Sequence, residues 1–109
     1  KNRLLEADES DTVIIKRSIG APARALKSSF TDKILELEDQ YGTYEALKNH
    51  ISGQANRRYI YEGKEEEGFG WAGQIVGRIK DIPSVEQLIN RMVKEAKDQL
   101  EKMNRMIGN

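Results

Sequence analysis

The stretch "DTVIIKRSIGAPARALK", Asp11 to Lys27, decides between a bundle of helices and a mixed fold. Thr12, Val13, Ile14 and Ile15 are all β-branched, and such side chains favour the pleated geometry of a strand, so Thr12 to Arg17 reads as one. The turn signals "DESD" and "SIG" bound the run on either side. Beyond it Gly20 and Pro22 stand two apart, and a residue before proline is pushed toward extended backbone, which disfavours a helix through Ala21. The segment therefore predicts one strand, then a positioned loop leading into "ARAL". A single strand among helical signals makes the fold class α+β, mainly helical.

Upstream, "NRLLEADESD" reads as the tail of a helix with Leu4 and Leu5 as its last apolar pair; with Lys1 rather than Met at the start, a missing N-terminal part is expected. Downstream, a helix is predicted from Thr31 or Asp32 to Gln40, with Ser29 or Thr31 as its cap and Gly42 past its end. Thr43 caps a second helix over "YEALKNHI", which "SG" at Ser52 and Gly53 closes, and the two should pair as a hairpin. "QANRRYIY" favours a further helical turn or two over a strand, and "EGKEEEGFGWAGQ" is loop. The last element is the clearest: Pro83, then Ser84 as N-cap with Gln87 three residues on, forms a capping box. Behind it Val85, Leu88, Ile89, Met92, Val93, Ala96, Leu100, Met103 and Ile107 keep the helical period opposite a charged face. That stripe requires a partner surface. Residues 1–83 and 84–109 are thus read as two parts, a segment of one strand and short helices and a long amphipathic helix.

Composition narrows the chemistry. Lysine plus arginine and aspartate plus glutamate both number 18, so no net field draws the chain toward nucleic acid or an anionic membrane. Arg57, Arg58, Tyr59 and Tyr61 resemble a stacking patch for bases, yet Glu62, Glu65, Glu66 and Glu67 beside them favour ordinary packing. With no cysteine and one histidine, His50, ligands are too few for a thiolate-imidazole zinc site, and a nucleophile-histidine pair would rest on that one imidazole. The same lack of cysteine, and of any membrane-length apolar run, suggests a reducing, soluble, cytoplasmic setting.

"GFGWAGQ", Gly68 to Gln74, has the spacing of a dinucleotide loop, but that loop works only where a buried strand delivers the chain to the first glycine and a helix faces the pyrophosphate. Here "GKEEE" precedes Gly68, and only "QIVGRIKDI" separates Gly73 from Pro83, leaving no room for the packing helix or the ribose-binding acid. The plainer reading is a tight turn whose glycines permit unusual dihedrals while Phe69 and Trp71 dock on apolar surface.

Two strings in order resemble the flavin-dependent nitronate monooxygenases, once called nitropropane dioxygenases, and the related flavin-containing enoyl-acyl-carrier-protein reductases. The first is "DTVIIKRSIGAPARALK", similar to the family's Asp-Thr-Val-Val and Arg-Ser-x-Gly-x-Pro-x-Arg; the second is "EGKEEEGFGWAGQIVGRIKDIPSVEQLI", similar to its acid-rich stretch, Met-Ala-Gly-Gln turn and terminal helix. Trp71 stands where many relatives have methionine, and Ala23 also departs from the pattern, which leaves the substrate open. The resemblance implies a β/α barrel holding FMN and a lid that closes over it, this chain being the lid (substrate) domain segment and terminal helix. The barrel, with the flavin phosphate loops and a catalytic histidine, would lie in the missing part, so no catalytic residue and no metal ligand is assigned here. The implied activity is oxidation of alkyl nitronates by molecular oxygen; enoyl-acyl-carrier-protein reduction and a non-catalytic helical interaction module are the alternatives. The chain alone is then expected to be inactive, and its uncovered helix to self-associate.

As candidates for contact with substrate or flavin, Arg17, Ser18, Gly20 and Arg24 come from the first string, and Gly70, Trp71, Gly73 and Gln74 from the second. Guanidinium forks at Arg17 and Arg24 suit a carboxylate, nitronate or acyl phosphopantetheine group, though pairing with nearby acids is the plainer reading. Trp71 would give an aromatic wall and Gln74 an amide that both donates and accepts.

Overall fold

The computed structural model describes residues 1–108. A short helix α1 (Asn2–Glu6) precedes strand β1 (Thr12–Ile15), which pairs antiparallel with β2 (Ala23–Leu26). Helices α2 (Ser29–Gln40), α3 (Tyr44–Leu47) and α4 (Gly53–Glu62) follow, then a 3-10 segment (Gln74–Arg78) and the long α5 (Val85–Ile107). The α+β, mainly helical class is what the sequence led us to expect.

β2 is the element that the sequence hides. The sequence reading stops at a loop leading into "ARAL" and gives that stretch no element, because alanine and leucine have no local preference for extended backbone. What makes it a strand is β1: Thr12 faces Leu26, Val13 faces Ala25, Ile14 faces Arg24 and Ile15 faces Ala23. The loop 16–22 between them turns at Gly20, whose φ of 71° is a conformation that glycine adopts freely.

Each face of this sheet has its own core. On one, Ile15 and Ala25 pack with Ile34 of α2, Leu47 of α3, Ala55 of α4 and Phe69. On the other, Leu26 packs with Ala7 and Val76, flanked by Leu4, Tyr59, Ala72 and Ile79. Alternation of side chains along β2 sends neighbours Ala25 and Leu26 to opposite cores.

The helix boundaries follow their caps. Ser28, not Ser29 or Thr31, caps α2, in a reciprocal box with Thr31. Thr43 caps α3, which stops at Leu47, short of the expected Ile51. Ser52 and Gly53 start a helix rather than close one: the Ser52 hydroxyl accepts from the Ala55 N–H, and α4 runs to Gly63 in left-handed conformation. Ser84 and Gln87 form the expected box at the start of α5. None of the α5 side chains is buried; Leu88, Ile89, Met92, Leu100 and Met103 are all exposed. The last residue of the 84–109 span, Asn109, lies outside the described residues.

Candidate functional site

The stretch 68–74 is built by close approach to α4. A side chain on Gly68 would collide with the Ala55 carbonyl, and one on Gly70 would come within 2.5 Å of the Tyr59 ring. Neither glycine has positive φ, and Gly73, at φ −82°, is extended, with room for a side chain that would meet only Ile75 at ordinary contact distance. The expectation that these glycines provide unusual dihedrals is therefore corrected: Gly68 and Gly70 are required by contact, and nothing in the geometry requires Gly73. Asn56 Nδ2 of α4 donates to the Phe69 carbonyl at 2.9 Å and fixes the approach.

From there the chain runs beside β2. The Leu26 N–H donates to the Gly70 carbonyl at 3.0 Å, the Ala72 N–H donates to the Arg24 carbonyl at 3.2 Å, and Trp71 bridges Ala25 in antiparallel sense. Alternation then places Phe69 and Trp71 on one face of the sheet and Gly70 and Ala72 on the other. Phe69 is 1% exposed and Trp71 45%, with the rings 4.6 Å apart and tilted by 64°, an edge-to-face contact. The indole is thus held by a buried ring while nearly half its surface remains open.

Lys16 completes this face. Its Nζ lies 4.9 Å from the centre of the Trp71 ring. Among the described residues Lys16 is also the one non-glycine residue with positive φ, at 65°, and its carbonyl accepts from the Ala21 N–H at 3.1 Å where the loop begins. Left-handed backbone costs an ordinary L-residue about 1–2 kcal/mol, whereas an exposed cation–π pair returns about 0.5–1 kcal/mol. The contact offsets at most part of that strain, which glycine would not incur at this position.

The other candidates divide among separate places. Arg24 is committed: its Nη1 donates to Thr12 Oγ1 at 3.0 Å across the strand pair. Ser18 donates from both its N–H and its hydroxyl to Glu38 Oε1 at 3.0 Å, which clamps the hairpin tip, Gly20 included, to α2. Arg17 is exposed beside the same tip, in a shallow cleft with Asp32, Glu36, Glu38 and Asp39. Four carboxylates there oppose an incoming anion, so the geometry does not favour Arg17 as a carboxylate or nitronate clamp. Gln74 is exposed and opens on a different hollow, with Asp8, Glu9, Ser10 and Arg78. Arg17, Trp71 and Gln74 do not meet.

On the far side of Gly70 lies a cavity of about 480 Å³ among Arg3, Leu4, Leu26, Tyr59, Tyr61 and Trp71. Burial pushes the Tyr59 phenol above its ordinary value, and Glu65 pushes in the same direction while Arg3 opposes. His50 packs on Phe30 with ring centres 5.6 Å apart, and its buried Nδ1 has no hydrogen-bond partner. Arg57 lies over Tyr61 and Arg58 Nε donates to the Glu67 carbonyl, as the packing reading of that stretch anticipated. Among the described residues no group of three or more His, Cys, Asp or Glu side chains is arranged to hold a metal, and no helix is long and apolar enough to cross a membrane.

Lys16 and Tyr59 are the site residues that sequence reasoning missed. Nothing in the sequence signals a left-handed lysine. Tyr59 had a signal, since Ala55 and Tyr59 stand four apart on α4 and so share the face against which Gly68 and Gly70 pack.

Fold and site together define an α+β segment whose sheet edge presents a braced aromatic ring and a cation, and the family it matches is one of oxidoreductases. A family model described as nitronate monooxygenase matches residues 1–95. The chain belongs to the nitronate monooxygenase family. It is 28% identical over 98 residues to a probable nitronate monooxygenase of Staphylococcus saprophyticus, covering 90% of this chain and 27% of that protein. It is 25% identical over 95 residues to a probable nitronate monooxygenase of Bacillus subtilis, again 27% of the relative's length. Among solved structures, FabK from Thermotoga maritima superposes with a TM-score of 0.88 at 34% identity, over 98% of this chain and 33% of that one. The chain thus spans about a quarter to a third of the relatives it matches.

Proposed function

We propose that this chain is the lid and terminal helix of an FMN-dependent oxidoreductase that oxidises alkyl nitronates with molecular oxygen. The observation that carries the reading is Trp71, a half-open indole braced from beneath by Phe69 and fixed at a sheet edge. A rigid flat wall of this kind suits the ring of a flavin or of a bound substrate and excludes water from it. The names of the curated relatives support nitronates as the substrate class.

The residues present fit the ring end of FMN rather than its phosphate. Gly68 and Gly70, which the spacing would offer to a phosphate, are already filled by the Ala55 carbonyl and the Tyr59 ring. In this reading the rest of the polypeptide forms the barrel, binds the phosphate and covers the apolar stripe of α5. When bound, FMN would supply the electron transfer between the nitronate and oxygen. This chain's part is to wall the site, with Trp71 against the ring and the Gln74 amide available to a polar group at a second edge. Absence of cysteine agrees with a soluble cytoplasmic setting.

A second reading, reduction of an enoyl thioester by a reduced nicotinamide, draws on the 34% identity to FabK. The two separate in one assay of the full-length protein. Oxygen consumption with propionate nitronate is the expected result. Oxidation of reduced nicotinamide with an enoyl thioester, and no nitronate turnover, would replace the first reading with the second.

A further inference from the structure

We infer that Lys16 determines the charge preference of the site: its ammonium rests on Trp71 when no substrate is present and pairs with a carboxylate that enters beside the indole. The inference rests on the proposed lid role of Trp71 and adds to it the group that selects an anionic substrate. Three observations meet at this residue. Its amino group lies 4.9 Å from the indole centre, on the only ring of the segment 68–74 that is open to solvent. Its backbone is left-handed, with its carbonyl accepting from the Ala21 N–H at 3.1 Å, so the loop start that carries this side chain is fixed. And it is the cation of the hairpin left in position for the task, because Arg24 is bonded to Thr12 and Arg17 faces the acids of α2.

A lysine suits the role chemically. Its ammonium is a compact point charge on a flexible stem, so it can leave a weak aromatic contact for a stronger ionic one while the ring stays in place. Phe69 keeps the indole fixed as the amine departs. A substrate with a carboxylate distal to its reacting group would gain this contact, and an uncharged analogue of the same shape would not.

The test uses Lys16→Gly, which removes the charge and suits the left-handed backbone, so the fold is kept; Lys16→Arg as the rescuing variant; and Lys33→Met, on the exposed side of α2, as control. In the 109-residue chain Trp71 is the one tryptophan, so its emission reports the pair directly. We expect emission to change in Lys16→Gly, to stay near wild type in Lys16→Arg, and to be unaltered in Lys33→Met. In the full-length protein the preference for propionate nitronate over ethyl nitronate, taken as the ratio of kcat/KM, should fall about tenfold in Lys16→Gly, through KM rather than kcat, and recover in Lys16→Arg. An unchanged ratio in Lys16→Gly overturns the inference, whatever the emission does. If the wild-type protein turns over no nitronate, the functional reading fails separately. The Lys16 inference is then decided by the ratio for the glutaconyl over the crotonyl thioester of N-acetylcysteamine, which differ by a distal carboxylate, with the same fall expected and the same constancy overturning it.

Discussion

At Gly68 the backbone of α4 leaves no room for even a methyl group, because the added carbon would overlap the Ala55 carbonyl. Backbone cannot swing aside as a flexible side chain can, so Gly68→Ala should destabilise the chain by about 1–3 kcal/mol or more, read as a lower midpoint in urea denaturation. Gly73→Ala is the matched comparison: its new carbon would meet only Ile75 Cγ2 at 3.8 Å, an ordinary contact, and the midpoint should stay within about 0.5 kcal/mol of wild type. Lys16 is the converse case, a residue with a side chain where the backbone favours none. Lys16→Gly should gain stability, limited to about 1 kcal/mol because glycine also loosens the unfolded chain, while Lys16→Val should lose it, since a β-branched side chain fits left-handed backbone worse than lysine does. The sequence shows where the glycines are but not which of them is crowded. That depends on α4, which is brought to Gly68 only by the tertiary fold, and it is why equal glycines in "GFGWAGQ" have unequal roles.

Elements with their own caps were legible, and those made by a neighbour were not. The start of α5 was readable to the residue because Ser84 and Gln87 exchange hydrogen bonds within one turn, the Ser84 N–H donating to Gln87 Oε1 at 3.0 Å and the Gln87 N–H to Ser84 Oγ at 3.2 Å. β2 was not, since its strand character comes from pairing with β1, and the serine-glycine at 52–53 misled because the same pair that ends one helix caps another. Removing the Ser84 hydroxyl with Ser84→Ala should cost about 1 kcal/mol of local helix stability, visible as faster amide exchange over the first turn of α5. A second hold on that turn is ionic. Arg91 grips Asp81 through two hydrogen bonds, of 3.0 and 2.6 Å, and keeps its carboxyl below the ordinary 3.8. A carboxyl depressed by folding stabilises above its unfolded value and loses that contribution as pH falls through its lower folded value. Protection factors for amide exchange in the first turns of α5 should therefore fall on acidification below about pH 4, and in Asp81→Asn they should be low already at neutral pH with little further response to acid.

The whole molecule is far from compact, with a Cα radius of gyration of 18.6 Å and extents of 61 × 29 × 20 Å, where 109 residues folded around one core would have a radius near 13 Å. The excess is α5, which carries an apolar stripe along its 23 residues and buries none of it. Val85, Ile89, Met92, Ala96, Leu100, Met103 and Ile107 recur about every 3.7 residues, closer to a straight helix than to the 3.5 of a left-handed coiled coil. A stripe of this period can lie along the surface of a globular body, which is what the remaining length of the matched relatives would offer, and in the isolated chain it is open to a second copy of itself. Two outcomes follow from that one geometry. The 109-residue chain should associate weakly as its concentration rises, seen as an increasing sedimentation coefficient, and Leu88→Lys, Met92→Lys and Leu100→Lys combined should keep it monomeric without loss of helix. In the full-length protein the same three substitutions remove side chains that each contribute about 1.5–3 kcal/mol when buried, so thermal stability should fall steeply. A full-length protein that tolerated all three unchanged would show that α5 stands free there too, and the proposal that the rest of the polypeptide covers it would be lost.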